Sequence, residues 1–269
     1  MEQSQRGELV PEQVNKYLAP QEHLTHLYHY TTMEALVNGI MGLSRETGKE
    51  LCLRATHAQY LNDPTELKNG KVCQQQLFTQ IAEKIGTTTN GDTFSKRLRD
   101  VYDNSFLISF SENEDSLPMW SMYGGNGQGI ALEFATPIET DCHSKWLVKC
   151  EYDATTMVKC ANDILNSDKN SGILYVALFP FILKDAAYSY EKEYRFAGFI
   201  PDMPTHYRHK GGLAIPYKEI YFSKDILTGI IIGPAANQHR VEESLRNFLN
   251  AVGMGHVNIK YSSVPYRTF

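Results

Sequence analysis

Ala187-Tyr-Ser-Tyr-Glu-Lys-Glu-Tyr-Arg-Phe-Ala-Gly-Phe-Ile200 sets three charges at alternating positions within a run of aromatic residues. Its second half, from Lys192 onward, reads as a β-strand, because Tyr194, Phe196 and Phe199 suit a pleated, half-buried surface. Side chains alternate along a strand, which predicts Glu191, Glu193 and Arg195 on one face and Lys192, Tyr194 and Phe196 on the other. Two readings of that row follow. It is a solvated edge where Arg195 pairs its neighbours, worth roughly 0–1 kcal/mol, or it is chemical machinery.

The segments around this strand alternate between short strands and helices. On the N-terminal side, Gly172–Lys184 is apolar almost all round and predicts a buried helix; Thr155–Leu165 predicts another. Ile130–Phe134 and Trp146–Tyr152 read as strands paired with each other, and Gly124–Gly129 as the tight turn before them. Ser105–Ser111 is a strand with Ser109 and Ser111 on one face. After it, Leu117–Tyr123 predicts a short helix with Pro118 in its first turn. Asp92 predicts the cap of a further helix. Asp63 as N-cap, Pro64 and Glu66 predict the start of a helix in which Gly70 is a weak point. Glu50–Arg54 and His26–Tyr30 read as strands. Thr31 and Glu34 have capping-box spacing before the stripe Met33, Leu36, Val37, Ile40. On the C-terminal side, Pro201–Gly212 reads as a polar loop. Glu219–Phe222, Thr228–Gly233 and Val257–Tyr261 read as strands, with a helix over Asn237–Val252.

No linker, repeat or low-complexity tract divides the chain. Residues 1–20 read as a flexible N-terminal segment and 21–269 as one domain. The mixed order of elements predicts an α+β fold with a split, mostly antiparallel sheet and inserted helices. A net charge of −5 and the lack of a basic block give no prediction of nonspecific nucleic-acid binding. The five cysteines are odd in number and contain no C-x-x-C pair, which predicts free thiols in a reducing compartment. With no apolar signal region and no run long enough to span a membrane, the sequence predicts a cytoplasmic, membrane-free protein.

Gly124–Gly129 lacks the P-loop pattern and precedes a strand, so it is a turn and not a phosphate cradle. Asp63 and Glu66 are accounted for as cap residues, which leaves Asn62 to serve a pocket. His206 and His209 alone make a weak zinc pair, and no metal site is predicted. Ser109 and Ser111 lack a nucleophile elbow. Trp120 and Tyr123 are core aromatics or a stacking surface for a planar ring.

As a set, Leu27-Tyr-His-Tyr-Thr31, Leu61–Glu66, Ile108-Ser-Phe-Ser111, Met119–Tyr123, Gly129–Phe134, Tyr190–Arg195, Ile230–Gly233 and Tyr261–Arg267 resemble the uncharacterised bacterial family DUF2971. More distantly, the order His-Tyr-Thr, Ser-x-Ser with Trp and Tyr, then Glu-x-Glu resembles the ADP-ribosyltransferase superfamily. That second resemblance implies an ADP-ribosyltransferase-like fold and an enzyme that breaks the nicotinamide glycosidic bond of NAD, as a bacterial toxin or phage-defence effector. It implies NAD as co-substrate, no metal, and an acceptor that is a protein, a nucleic acid or a small molecule. Residue by residue, it gives His29 the ribose, Tyr30 or Thr31 the carboxamide, and Tyr123 or Trp120 the nicotinamide ring. Ser109 and Ser111 line the site. Glu193 is the catalytic carboxylate, Glu191 orients or deprotonates the acceptor, and Arg195 binds pyrophosphate or locks Glu193. The Ser-x-Ser lacks the superfamily's middle Thr, and the gap before the Glu strand is long. The alternatives are a non-catalytic binding module for a nucleotide or a partner protein, and a metal-dependent nuclease using Asp63, Glu66, Glu191 and Glu193.

Overall fold

Among the described residues, ten strands form a single mostly antiparallel sheet of mixed α/β architecture. The computed structural model describes residues 24–42, 50–63, 67–85, 104–138, 145–167, 172, 175–199 and 203–266. In chain order the strands are β1 His26–Thr31, β2 Glu50–His57, β3 Ser105–Ser111, β4 Ile130–Ala135, β5 Lys145–Lys149, β6 Glu193–Phe199, β7 His206–Lys210, β8 Leu213–Ser223, β9 Leu227–Ile232 and β10 Asn258–Tyr261. The helices are α1 Met33–Ala35, which runs on as a π-helical turn over Leu36–Ile40, then α2 Lys68–Ile85, α3 Leu117–Met122, α4 Ala154–Ser167, α5 Phe179–Ile182 and α6 Gln238–Ala251.

The main path through the sheet is β10-β9-β4-β1-β3-β2-β8-β7, with β6 on β3 and β5 on β6. Among the described strands, only the β9–β10 pair runs parallel. The branch point is β3. One edge pairs with β6 along its whole length, from Ser105↔Phe199 to Ser111↔Glu193. The other edge is shared. β2 meets it at Phe106 and Leu107, and β1 meets it at Ser111. Between those points neither β1 nor β2 lies alongside β3, so the strands form one open sheet with a local gap in its ladder.

Cross-strand partners share a face. Leu27, Ile108, Phe110, Phe134, Phe196 and Phe222 lie on one face and form the largest core, closed by Leu245 and Leu249 of α6 and by Leu36, Ile40 and Met41. The opposite face carries two smaller cores. Leu107, Val148 and Ala197 pack under α2, α4 and α5, while Tyr28, Tyr30, Ala131 and Ile231 pack under Met119 and Trp120 of α3. In α4 the buried residues Met157, Ala161 and Ile164 recur at helical spacing. Among the described residues no helix is long and apolar enough to cross a membrane, and Cys52, Cys73, Cys150 and Cys160 are free thiols.

Several local expectations change. β4 and β5 do not pair with each other: β4 lies between β1 and β9, and β5 on β6. The expected polar loop at 201–212 contains β7, which forms a hairpin with β8 through left-handed Gly211 and Gly212. Its His-Tyr-Arg-His-Lys sequence has no apolar alternation to announce it. Thr31 stays in β1, and the N-cap is Thr32, whose hydroxyl accepts from the Ala35 N–H. The expected helix over 172–184 is present in pieces: Gly172 and Tyr175–Ala177 are helical, a turn at Leu178 interrupts it just before Pro180, and α5 ends at Leu183, which is extended and bridges to Glu151. The helix expected after Asp92 lies outside the described residues, as do Pro64 and Glu66.

Gly70 is not a defect in α2. It is buried, and a methyl group there would lie 2.5 Å from the Phe179 carbonyl oxygen and collide with the Pro180 backbone. The residue lets α2 and α5 touch backbone to backbone. Gly70→Ala therefore lowers stability by about 1–3 kcal/mol through overpacking, although the same change in an exposed helix stabilises by about 1 kcal/mol. Urea denaturation of the two proteins gives the sign.

Candidate functional site

Glu193 opens β6 and is only 3% exposed, so its charge must be met by protein. Its Oε2 accepts from Lys184 Nζ at 2.7 Å and from Arg195 Nη2 at 3.0 Å, with Cys150 Sγ at 3.7 Å. Arg195 is fully buried and also donates to the Phe181 carbonyl at 3.2 Å. Lys184 bonds Glu191 Oε2 as well, and Glu191 Oε1 accepts from the Tyr123 hydroxyl at 2.6 Å. Two carboxylates and two cations thus form a buried group whose formal charges cancel. Burial pushes the Glu193 carboxyl up, but the charge and hydrogen bonds of Arg195, followed by those of Lys184, outweigh it and bring the group down to about 2.

Glu191 does not sit on the strand. It ends a 3-10 helix over Ala186–Glu191, and Lys192 then takes a left-handed conformation with φ of 41°. The Asp185 side chain caps that turn on the Ala187 N–H. Lys184 therefore collects both carboxylates through a turn, where an alternating strand face was expected. Backbone braces fix the arrangement: Ser111 Oγ donates to the Glu191 carbonyl at 2.6 Å, and the Glu193 N–H donates to Tyr152 Oη at 2.9 Å.

A cleft of about 400 Å³ opens where β1 and β2 part over β3, a size usual for small-ligand sites. Glu191, Glu193 and Lys184 line it together with Tyr123 and Asn62, while His29, Tyr30 and Ser109 come from β1 and β3. Thr56, Arg208 and Lys210 line the side formed by β2 and β7. His29 Nδ1–H donates to the Ser109 carbonyl at 2.9 Å across the gap, which leaves Nε2 as an acceptor. Burial lowers the His29 pKa, and nearby Arg208 lowers it further against the raising effect of that carbonyl, so the ring is neutral near pH 7. Burial, then Glu191, raises the Tyr123 pKa, and the phenol stays a donor; the Asn62 side chain hydrogen-bonds to it.

Of the residues singled out in the sequence, His29, Tyr30, Asn62, Ser109, Tyr123, Glu191 and Glu193 meet in this cleft. Thr31, Ser111, Trp120 and Arg195 are not in its lining. Thr31 pairs with Ile130 in the ladder. Ser111 is fully buried as a brace. Trp120 is fully buried, donates Nε1–H to Asp115 Oδ1 at 2.6 Å and meets Tyr30 edge to face, so it has no free ring face for a ligand. Arg195 is fully buried and donates to Glu193 and to the Phe181 carbonyl. The Tyr30 hydroxyl is engaged by Asn113 and Ser116. His206 stacks on Tyr217, and no group of three metal-ligating side chains occurs among the described residues.

Lys184 and Arg208 were not anticipated. A lysine ending an otherwise apolar segment, seven residues before Glu191, was the available signal for the first. Arg208 carried none, because it sits in a strand that looked like a loop.

Residues 119–196 match the model of a family described as a protein of unknown function, DUF2971. The matched span includes Tyr123, Lys184, Glu191, Glu193 and Arg195. No curated protein and no solved structure matches the chain.

The depressed Glu193 pKa ties stability to pH. A carboxyl at about 2 when folded, against an ordinary 4.5, stabilises the fold above about pH 4.5, and that contribution disappears as pH falls toward 2. Its full size is on the order of 3 kcal/mol. Denaturation midpoints measured between pH 7 and pH 2 should fall more steeply for the natural protein than for Glu193→Gln, and the gap between them should narrow in acid.

Proposed function

We propose that the cleft binds NAD and that the chain cleaves its nicotinamide glycosidic bond, passing ADP-ribose to an acceptor. The observation that carries this reading is the convergence of His29, Tyr123, Glu191 and Glu193 on one cleft, at the gap in the sheet. The superfamily resemblance assigned those same four residues to ribose, nicotinamide, acceptor and reacting centre. In this reaction the C1′–N bond breaks and its electron pair leaves with nicotinamide. Positive charge develops at C1′ and the ring oxygen, and the acceptor then forms a bond to C1′ while losing its proton. Glu193, held ionised by Lys184 and Arg195, supplies a fixed negative charge for that transition state. His29 Nε2 accepts from a ribose hydroxyl. The Tyr123 ring lies against the nicotinamide, and Glu191 takes the acceptor's proton.

One observation favours a second reading. The same Glu193 oxygen accepts from both Lys184 and Arg195, which suits a structural anchor in a binding module of the same fold. Nicotinamide release separates the two. In the first reading, purified protein releases nicotinamide from NAD, Glu193→Gln reduces the rate by at least about a hundredfold while melting cooperatively, and His29→Ala weakens NAD binding. NAD binding without release, equal in the natural protein and a folded Glu193→Gln, supports the module. No NAD binding at millimolar concentration overturns the NAD assignment in both.

A further inference from the structure

We propose that Arg54 and Arg208 form an anion site that takes a phosphate group of the cleft's ligand. The ladders put both on one face of the sheet: Arg54 lies opposite Glu219, Thr56 opposite Tyr217, and Arg208 opposite Ile215. Arg208 Nη2–H donates to Thr56 Oγ1 at 2.8 Å, and both residues line the cleft. The Arg54 guanidinium, on the same face but outside that lining, is 4.9 Å from the centre of the Tyr217 ring. It lies over Gly39, where even a methyl group would come within 3.5 Å of it.

Charge balance points to the ligand. The carboxylates of Glu191 and Glu193 are matched by Lys184 and Arg195. Arg54 and Arg208 have no carboxylate within ion-pair distance among the described residues, and each holds a buried Nε–H without an acceptor. Glu219, across the ladder from Arg54, accepts from the Tyr221 hydroxyl instead. Asp63 is the other acid in the cleft lining. Arg54 also depresses the Arg208 pKa, second to burial, so the two cations act on each other unscreened by a carboxylate. Holding like charges together is unfavourable, and a bound anion removes the repulsion. The planar fork of arginine matches phosphate oxygens in pairs, and two forks suit a doubly charged group. Lys210, on the same strand and in the same lining, adds a third positive charge.

This inference goes beyond the reaction proposed above, because any phosphorylated small ligand satisfies it. The test uses the full chain, with inorganic phosphate, inorganic pyrophosphate and adenosine diphosphate as probes in calorimetry and thermal melts. The expected result is pyrophosphate binding that Arg208→Gln and Arg54→Gln each weaken by about tenfold or more. Arg208→Lys loses less, since charge remains while the fork is gone. Lys149→Gln, which removes a surface charge paired with Glu112, leaves binding unchanged. Phosphate bound as tightly as the diphosphate identifies a site for the free anion; tighter diphosphate binding identifies a nucleotide's phosphate. Failure of the folded natural protein to bind any of the three probes at millimolar concentration overturns the site, as does unchanged binding in both glutamine variants. Nicotinamide release, measured on the same samples, is read separately. Its absence beside normal pyrophosphate binding defeats the glycosidic reaction and leaves the anion site standing.

Discussion

A carboxylate removed from water has to be neutralised where it stands, and Glu193 imposes that requirement on everything around it. Lys184 and Arg195 meet it, Lys184 brings in Glu191, and Glu191 brings in Tyr123. The group therefore joins the extended segment after α5, the 3-10 helix, the start of β6 and the end of α3. Such a group is a poor device for stability alone, because well-packed apolar residues often serve a core as well as a buried ion pair does. Its worth lies in position. It sets an ionised carboxylate, a neutral phenol and an ammonium at one side of a cleft and gives none of them freedom to move.

The cleft itself comes from a shortage of pairing. On one edge β3 has a full partner in β6. Its other edge is met by β2 at the start and β1 at the end, with neither alongside Ile108–Phe110. An open backbone edge must be satisfied in another way, and His29 does so by donating to the Ser109 carbonyl. The bond that closes the gap in the ladder also fixes the tautomer of the histidine at the rim. Fold and chemistry are settled by the same contact.

Much of this could be read in the sequence, for physical reasons. Strands such as β3, β4 and β9 are apolar on both faces because helices or the rest of the core cover both, and long apolar runs are hard to mistake. The charged row around Glu193 stood out because strands seldom carry such a row among aromatics. What could not be read depended on long-range pairing. Nothing local in β4 or β5 says that their partners are β9 and β6. The hairpin of β7 has exposed residues on both faces, so it lacks the alternation that marks a half-buried strand. Local pattern also misplaced Glu191, since a left-handed Lys192 is a cost accepted for the site and not a preference of lysine. Trp120 shows the opposite limit: its residue type allowed stacking on a ligand, and only burial decided against it.

The order of the sheet has a consequence for synthesis. The walls of the cleft come from parts of the chain far apart in sequence: His29 meets a carbonyl 80 residues on, and Thr56 meets Arg208 across 152 residues. Such closures are slow, because the entropy of a long loop is lost before the contact compensates for it. While the ribosome has yet to supply β8, β2 lacks its long partner and β7 has nothing to lie on. A growing chain can collect the cores around β1, β3 and β4, but the basic side of the cleft does not yet exist. The cleft is thus among the last features to form, and incomplete chains are without it.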